Sequence, residues 1–189
     1  MSTPTAETAG IEGYLPGRWN IDPVHSDVSF SVRHMMVSKV RGKFSGLSGV
    51  IVTGTDPLSS SVEATIELDS FDTANEQRDA HIRSADFLDV ANHPQMTFRS
   101  TGVRRDGSDF LVDGDLSLHG VTKPVTLHLE IGGFGPDAYG GTRAGFSATT
   151  EIDRGNFGVD LSMPMATGGV VIGEKVTISL DVEAVLETA

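Results

Sequence analysis

The residues best suited to acid–base chemistry begin with a His-Ser-Asp tripeptide at positions 25–27. These are the residue types of a serine-hydrolase triad, in which a histidine activates a serine hydroxyl. Neighbouring residues on a strand point to opposite faces, so Ser26 would face away from His25 and Asp27. A triad is also assembled from distant segments. We therefore interpret the tripeptide as a structural feature at the start of a strand.

Histidine is also the commonest metal ligand, and this chain has six of them. No pair has the i, i+4 spacing of helical ligands or the i, i+2 spacing of strand ligands. A site built from distant segments stays open, but the spacing leads us to expect no metal and no cofactor. The six are His25, His34, His81, His93, His119 and His128.

One histidine lies in an apolar pattern, because His34 shares strand parity with Val28, Phe30 and Val32. Such a histidine is either a satisfied core residue or the polar group that orients a ligand in an apolar pocket. Four cations, Arg33, Lys39, Arg41 and Lys43, lie within the 11 positions 33–43. They fit a solvated sheet edge or a positive patch at a cavity mouth.

Composition narrows the function classes. The 189 residues carry a formal net charge of −12, which disfavours general nucleic-acid binding and adhesion to anionic membranes. There is no cysteine, so disulfides and cysteine-based metal sites are excluded. No window approaches the ~18 continuous apolar residues of a membrane span. The N-terminus has no basic and apolar secretion signal as written, so we expect a cytoplasmic protein. Residues 1–16 are expected to form a flexible tail, with one domain over 17–189.

The elements that must position these residues are mostly strands. Eight runs alternate apolar and polar residues with a period of 2, and Asp-Gly in 104–109 and the Gly and Pro of 119–124 predict hairpins between them. The exception is 70–90, where Thr73 and Glu76 fit a capping box before two to three helical turns. Ile82, Phe87 and Leu88 are the expected anchors of this helix. The eight runs lie around residues 28–32, 50–52, 62–68, 96–98, 110–118, 125–131, 144–152 and 176–184.

Eight antiparallel strands can stack as a sandwich or close as a barrel. Small residues on the apolar faces favour the barrel, because they leave interior volume unfilled. An eight-stranded barrel has room for one small ligand. Taken alone, this observation leaves both architectures open. The small residues are Ala64, Gly114, Ala144, Ala148 and Ala184.

Four segments together resemble the YceI-like family of bacterial polyisoprenoid-binding proteins. They are WNIDPVHSDVSFSVRHMMVSKVRGKFSGLSG, NEQRDAHIRSADFLDVANHPQMTFRS, LSLHGVTKPVTLHL and IDRGNFGV, and they follow the family order from Trp19 to about Glu183. The resemblance implies an extended, lipocalin-like antiparallel β-barrel with a helix beside it. It also implies a long apolar cavity for an isoprenoid or similar long-chain lipid, without a known catalytic activity. Many relatives carry an export signal, which this chain lacks as written.

We therefore expect an all-β, eight-stranded barrel that binds a polyprenyl or quinone-like lipid and no other cofactor. Exposed strand edges and the resemblance are compatible with a homodimer. The alternatives are a lipid-modifying barrel enzyme that uses His34, and a ligand-free interaction module. Inward parity and bulk select these ligand-binding residues: Val28, Phe30, Val32, His34, Phe44, Ile66, Leu68, Phe98, Leu116, Leu127, Phe146, Ile178 and Leu180.

Overall fold

The computed structural model describes residues 10–160 and 172–188. Eleven strands and one α-helix lie in these ranges, with short 3-10 turns between some of them. The helix α1 spans Glu76–Arg83. The strands are β1 (Gly17–Ile21), β2 (Asp27–His34), β3 (Ser38–Phe44), β4 (Leu47–Thr53), β5 (Ser61–Glu67), β6 (Phe71–Asp72), β7 (Gln95–Asp106), β8 (Asp109–Leu118), β9 (Val121–Pro136), β10 (Thr142–Asp153) and β11 (Ile172–Leu186).

Eight of these strands close into an antiparallel barrel in the order β1-β4-β5-β7-β8-β9-β10-β11. Closure comes from β11, whose C-terminal half pairs with β1 and places Ala184 opposite Ile21. The predicted eight-stranded barrel with one short helix is therefore confirmed. Alternation predicted seven of its strands but not β1, which is only five residues long.

A three-stranded extension continues the sheet beyond the barrel. The N-terminal half of β11 pairs with β2, where Ile178 lies opposite Phe30. Strand β3 pairs with β2, and β6 pairs with β3. The pattern did not predict β3, because in its sequence SKVRGKF only Val40 and Phe44 are large and apolar.

The two predicted hairpins are present. Strands β7 and β8 meet at Asp106 and Asp109, and the turn between them contains Gly107 at φ 62°. Strands β8 and β9 are joined by His119 at φ 55° and Gly120 at φ 74°. Two consecutive positive φ values are those of a type I′ turn, whose twist matches that of the flanking strands.

The N-cap of the helix is Asn75 and not Thr73, the residue that the predicted capping box would use. The side chain of Asn75 accepts a hydrogen bond of 3.0 Å from the backbone N–H of Arg78. Thr73 lies before the helix, and its backbone N–H donates to the buried carboxylate of Asp79 at 3.0 Å. The Thr73 hydroxyl donates to the same carboxylate, so these groups fasten the helix to the sheet. Spacing alone could not separate Asn75 from Thr73, because both residue types cap helices.

The expected helix anchors are confirmed, since Phe87 and Leu88 are buried and Ile82 packs against the core. The helix has eight residues, and no helix in the described part of the chain is long and apolar enough to span a bilayer.

The N-terminal segment packs on the barrel before residue 17, which corrects the predicted tail at its C-terminal end. Tyr14 is buried and donates its hydroxyl hydrogen to the carbonyl oxygen of Gly54 at 2.6 Å. Its ring meets Phe134 edge-on, with 5.3 Å between centroids. Residues 1–9 of the predicted tail lie outside the described residues.

Candidate functional site

Two apolar cavities lie end to end inside the structure. The smaller, of about 150 Å³, lies within the barrel, and the larger, of about 280 Å³, lies beneath α1 and the strands β2 and β3. Val28, Met96 and Ile178 line both cavities, so these three side chains form a partition between them. The cavities are therefore two parts of one apolar axis through the molecule.

The smaller cavity is bounded almost entirely by aliphatic and aromatic side chains. Inward residues of β5, β7, β8, β9, β10 and β11 meet there because strand residues of one parity share a face. Its few polar groups include the hydroxyls of Tyr14, Thr53 and Thr150. The Thr53 hydroxyl already donates to the carbonyl oxygen of Leu15 at 2.7 Å. Such a wall can bind an apolar chain, and it has no described acid or base to act on one.

The larger cavity has one polar side. His34 approaches it from β2, and Arg78 and His81 approach it from the helix. Arg33 is exposed on the opposite face of β2 from His34. Arg78 is held in place, because its Nε and Nη2 donate to the side chain and carbonyl oxygen of Thr73 at 2.8 and 2.9 Å. Cationic and hydrogen-bonding groups therefore surround one part of an otherwise apolar cavity.

A buried arginine closes another part of the larger cavity. Arg154 donates to the carbonyl oxygens of Val159 at 2.7 Å, Gly173 at 2.9 Å and Ile172 at 3.2 Å. These bonds use three of its five N–H donors and tie β11 to the segment after β10. Burial lowers the pKa of the Arg154 guanidinium below its ordinary value. This residue of the IDRGNFGV motif thus has a structural role in the cavity wall.

The thirteen residues selected by parity and bulk all lie on the wall of one cavity or both, while their contact with a ligand stays a prediction. Val28 and Ile178 belong to the partition. The smaller cavity takes Ile66, Phe98, Leu116, Leu127, Phe146 and Leu180. The larger cavity takes Phe30, Val32, His34, Phe44 and Leu68.

Two of the five small residues, Ala64 and Ala148, line a cavity, both the smaller one. Gly114 instead makes room for a neighbouring ring, since a Cβ there would lie 2.3 Å from Cζ of Phe98. The inference that all of these residues leave open volume was therefore wrong. Whether a small residue leaves a void depends on the cross-strand neighbour that fills it.

Ala144 and Ala184 serve a second, separate core cluster. They pack around Trp19, which is fully buried and donates its indole N–H to the Thr53 hydroxyl at 2.9 Å. The two alanines provide space for the indole, so they do not contribute to the cavities.

The sequence-based selection missed several wall residues. Met96 has the same parity as Phe98 on β7, so alternation could have identified it. Phe87, Leu88 and Leu118 reach the larger cavity from loops and a strand end. Phe87 and Leu88 follow the helix and are not on a strand, so no strand period applies to them. Only the packing of α1 on the sheet brings them to the cavity.

The His-Ser-Asp tripeptide has the structural role expected of it. Ser26 is buried, accepts a hydrogen bond from the N–H of Glu183 at 2.9 Å and donates to its carbonyl oxygen at 3.1 Å. His25 is exposed and its Nδ1 lies 2.8 Å from Oδ2 of Asp22. Ser26 therefore links the start of β2 to β11, and its hydroxyl is used in that link.

Comparison with known proteins now decides the family. The model of the YceI-like domain matches residues 19–184. The chain belongs to the YceI-like family. Protein YceI from Escherichia coli is 40% identical over 162 residues, which cover 85% of this chain and 82% of that protein.

Solved structures of other proteins share this fold. The Campylobacter jejuni YceI protein superposes with a TM-score of 0.70 at 28% identity, covering 82% of this chain and 90% of that one. A polyisoprenoid-binding domain from Saccharophagus degradans gives a TM-score of 0.68 at 18% identity, covering 92% and 100%. At that identity the second likeness establishes the fold alone.

Proposed function

We propose that this protein binds one long-chain, isoprenoid-type lipid, such as a polyprenyl or quinone compound, along the axis formed by its two cavities. The observation that carries the proposal is the pair of apolar cavities whose walls share Val28, Met96 and Ile178. Membership of the YceI-like family and the polyisoprenoid-binding description of the S. degradans domain support the ligand class.

The size of the cavities is consistent with a chain-like ligand. Ligand pockets usually measure about 300–1,000 Å³. Each cavity alone falls short of that range, and the two together reach its lower part. A flexible chain that threads both cavities would use the available volume better than a compact ligand confined to one.

The partition would open through its most adaptable side chain. Met96 is unbranched with a polarizable thioether, which makes it an adaptable gap filler. Val28 and Ile178 are β-branched and stiff. We therefore expect Met96 to change rotamer when a chain passes from one cavity to the other.

The polar side of the larger cavity would receive the headgroup. Arg78 carries positive charge there, and His34 and His81 add hydrogen-bonding nitrogens. A quinone carbonyl or an anionic headgroup would find donors at this place. The tail would then extend past the partition into the smaller cavity.

A carrier fits the site better than an enzyme. Within residues 10–160 and 172–188, no carboxylate makes a hydrogen bond or ion pair with the imidazole of His34, the candidate base, although a catalytic base usually needs an orienting partner. The carboxylate of Asp86 lies 3.1 Å from Nε2 of His81, but that side chain is exposed. Burial of apolar area contributes about 0.8 kcal/mol per methylene. An apolar wall discriminates one methylene by only ~1–3 kcal/mol, so several chain lengths should bind.

The first experiment identifies the ligand. Untagged protein is purified and studied by native mass spectrometry, and a solvent extract is analysed in parallel. We expect one isoprenoid or quinone per chain, recovered unaltered. Protein that is empty and also rejects added polyprenyl lipids would overturn the proposal and favour a ligand-free interaction module.

Variants then locate the ligand in the cavities. Leu116→Asp and Phe30→Asp each place a charge in one cavity wall, and both should abolish lipid retention in folded protein. Thr149→Asp is the matched control, because Thr149 is exposed on the outer face of β10 and should keep the lipid. Retention of lipid by both wall variants, with the fold intact by circular dichroism, would count against this site.

A further inference from the structure

Two histidines and an aspartate converge beside the larger cavity without lining it. Asp89 and His93 lie in the loop between α1 and β7, and His119 lies in the hairpin between β8 and β9. All three are half-buried, and one potential ligand atom of each lies within 4.8 Å of those of the other two. The rings of His93 and His119 are tilted by 58°, with 4.9 Å between centroids.

The imidazole of His119 is oriented as in a metal ligand. Its Nδ1 lies 3.2 Å from the carbonyl oxygen of Phe157. A carbonyl oxygen only accepts, so Nδ1 carries the proton and Nε2 of the neutral ring keeps its lone pair. Metal-binding histidines commonly donate their other ring N–H to a carbonyl or carboxylate in this way.

The carboxylate of Asp89 is also held in place, by a hydrogen-bond donor that is not one of the three clustered residues. The side-chain amide of Asn92 donates to both of its oxygens, at 3.0 and 3.1 Å. The backbone N–H of His93 donates to the carbonyl oxygen of Asp89 at 2.8 Å, which closes the turn that brings the two side chains together. A hydrogen-bonded carboxylate is the usual form of an acidic metal ligand.

A second cluster in the described residues provides a contrast. Asp22, His25 and Glu183 are equally close together, but Nη1 of Arg143 lies 2.8 Å from Asp22 and 3.6 Å from Glu183. The guanidinium already supplies the positive charge there. That cluster is therefore an ion-pair network that joins β10 and β11 to the end of β1.

We propose that Asp89, His93 and His119 form a binding site for a divalent transition-metal ion of the Zn²⁺ type. Two imidazoles and a carboxylate suit zinc, whereas Mg²⁺ and Ca²⁺ prefer oxygen ligands throughout. With bonds of about 2.0–2.2 Å, tetrahedral donor atoms are about 3.3 Å apart. Small side-chain rotations from the present arrangement would reach that separation. Three protein ligands leave a fourth position for water.

The ion would act on the wall of the larger cavity. Leu88 precedes Asp89 and Leu118 precedes His119, and both leucines line that cavity. A metal would join the loop after α1 to the β8–β9 hairpin. It would thereby fix the positions of the two leucines relative to each other. This inference does not depend on the identity of the lipid, and its test measures metal directly.

The test uses tag-free protein stripped with a chelator and titrated with Zn²⁺ against a chromophoric indicator. We expect one equivalent to bind and to raise the melting temperature, while Mg²⁺ does neither. His93→Gln and His119→Asn should each weaken Zn²⁺ binding at least 10-fold. Asparagine tolerates the positive φ of 55° at position 119, so that variant should fold.

The control is His25→Asn in the ion-pair network, which should bind Zn²⁺ like the unchanged protein. Absence of a stoichiometric, saturable uptake by the folded wild-type chain would overturn the proposal. So would unchanged affinity in both ligand variants, or an equal loss in the His25 control.

Discussion

Filling the smaller cavity with protein should stabilise the fold and weaken lipid binding at the same time. Ala148 lines this cavity from β10, and only 8% of its surface is exposed. Ala148→Leu would place three more carbon atoms in a space of about 150 Å³. The opposite signs of the two effects separate a loss of binding from damage to the fold.

The expected magnitudes follow from buried apolar area. If the added carbons displace three methylene groups of the lipid tail, about 0.8 kcal/mol each, binding loses about 2.4 kcal/mol. That corresponds to an affinity about 50-fold lower. Cavity filling commonly raises stability by about 0.5–2 kcal/mol, and each kcal/mol raises the melting temperature by roughly 2–4 °C at this chain length.

The assay compares lipid dissociation constants and melting temperatures of delipidated protein. Thr149→Leu adds a leucine to the neighbouring, outward-facing position and should change lipid affinity little. Wild-type affinity in Ala148→Leu would refute the placement of the tail in this cavity. An equal loss in Thr149→Leu would show that the effect does not come from the interior.

Three further predictions concern the partition, the ion-pair network and the second core cluster. Met96→Ala should merge the two cavities and lower the unfolding free energy of delipidated protein by about 2–5 kcal/mol. Added polyprenyl lipid should restore more of the lost stability in Met96→Ala than in the control variant Met96→Leu. The hydrogen bond to Arg143, followed by that to His25, holds the pKa of Asp22 well below its usual value of about 3.9. The resulting stability is present above that value and is lost as the pH falls through the folded-state pKa. Urea unfolding from pH 5 to pH 2.5 should therefore show a steeper decline in the unchanged protein than in Asp22→Asn, and parallel declines would contradict this. Trp19→Phe should lower the unfolding free energy by about 1–3 kcal/mol, because it removes the hydrogen bond to Thr53. Unfolding is followed by circular dichroism, since Trp19 is the only tryptophan and its fluorescence is lost in the variant. An unchanged unfolding midpoint would contradict the stabilising role of this bond.

Much of the barrel could be predicted because strand geometry is a local property. Alternating residues such as Val125, Leu127 and Leu129 must share one face of a strand wherever the strand lies. The Asp-Gly turn at 106–107 and the His-Gly turn at 119–120 determine which strands are neighbours. The thirteen side chains selected by parity and bulk therefore line a cavity wall, although Phe44 lies on the unpredicted strand β3 and Leu68 lies in a 3-10 turn. Parity alone says nothing of what they contact.

The helix region shows where local signals become ambiguous. Thr73 and Asn75 are both good cap residues, and the choice depends on the buried Asp79, which binds Thr73. That interaction exists only after the helix packs on the sheet. The same packing brings Phe87 and Leu88 to the larger cavity, which no periodicity within residues 70–90 indicated.

By itself, the sequence determined seven of the eight barrel strands and β2, their inward faces, the hairpins and the resemblance to the YceI-like family. Tertiary structure alone decided that Gly114 holds the Phe98 ring while Ala148 borders a void. It also decided that β1 closes the barrel on β11 and that Asp89, His93 and His119 meet. The physical reason is that side-chain direction depends on backbone geometry within a few residues. Void volume, closure and convergent ligand atoms depend on the packing of segments far apart in the chain.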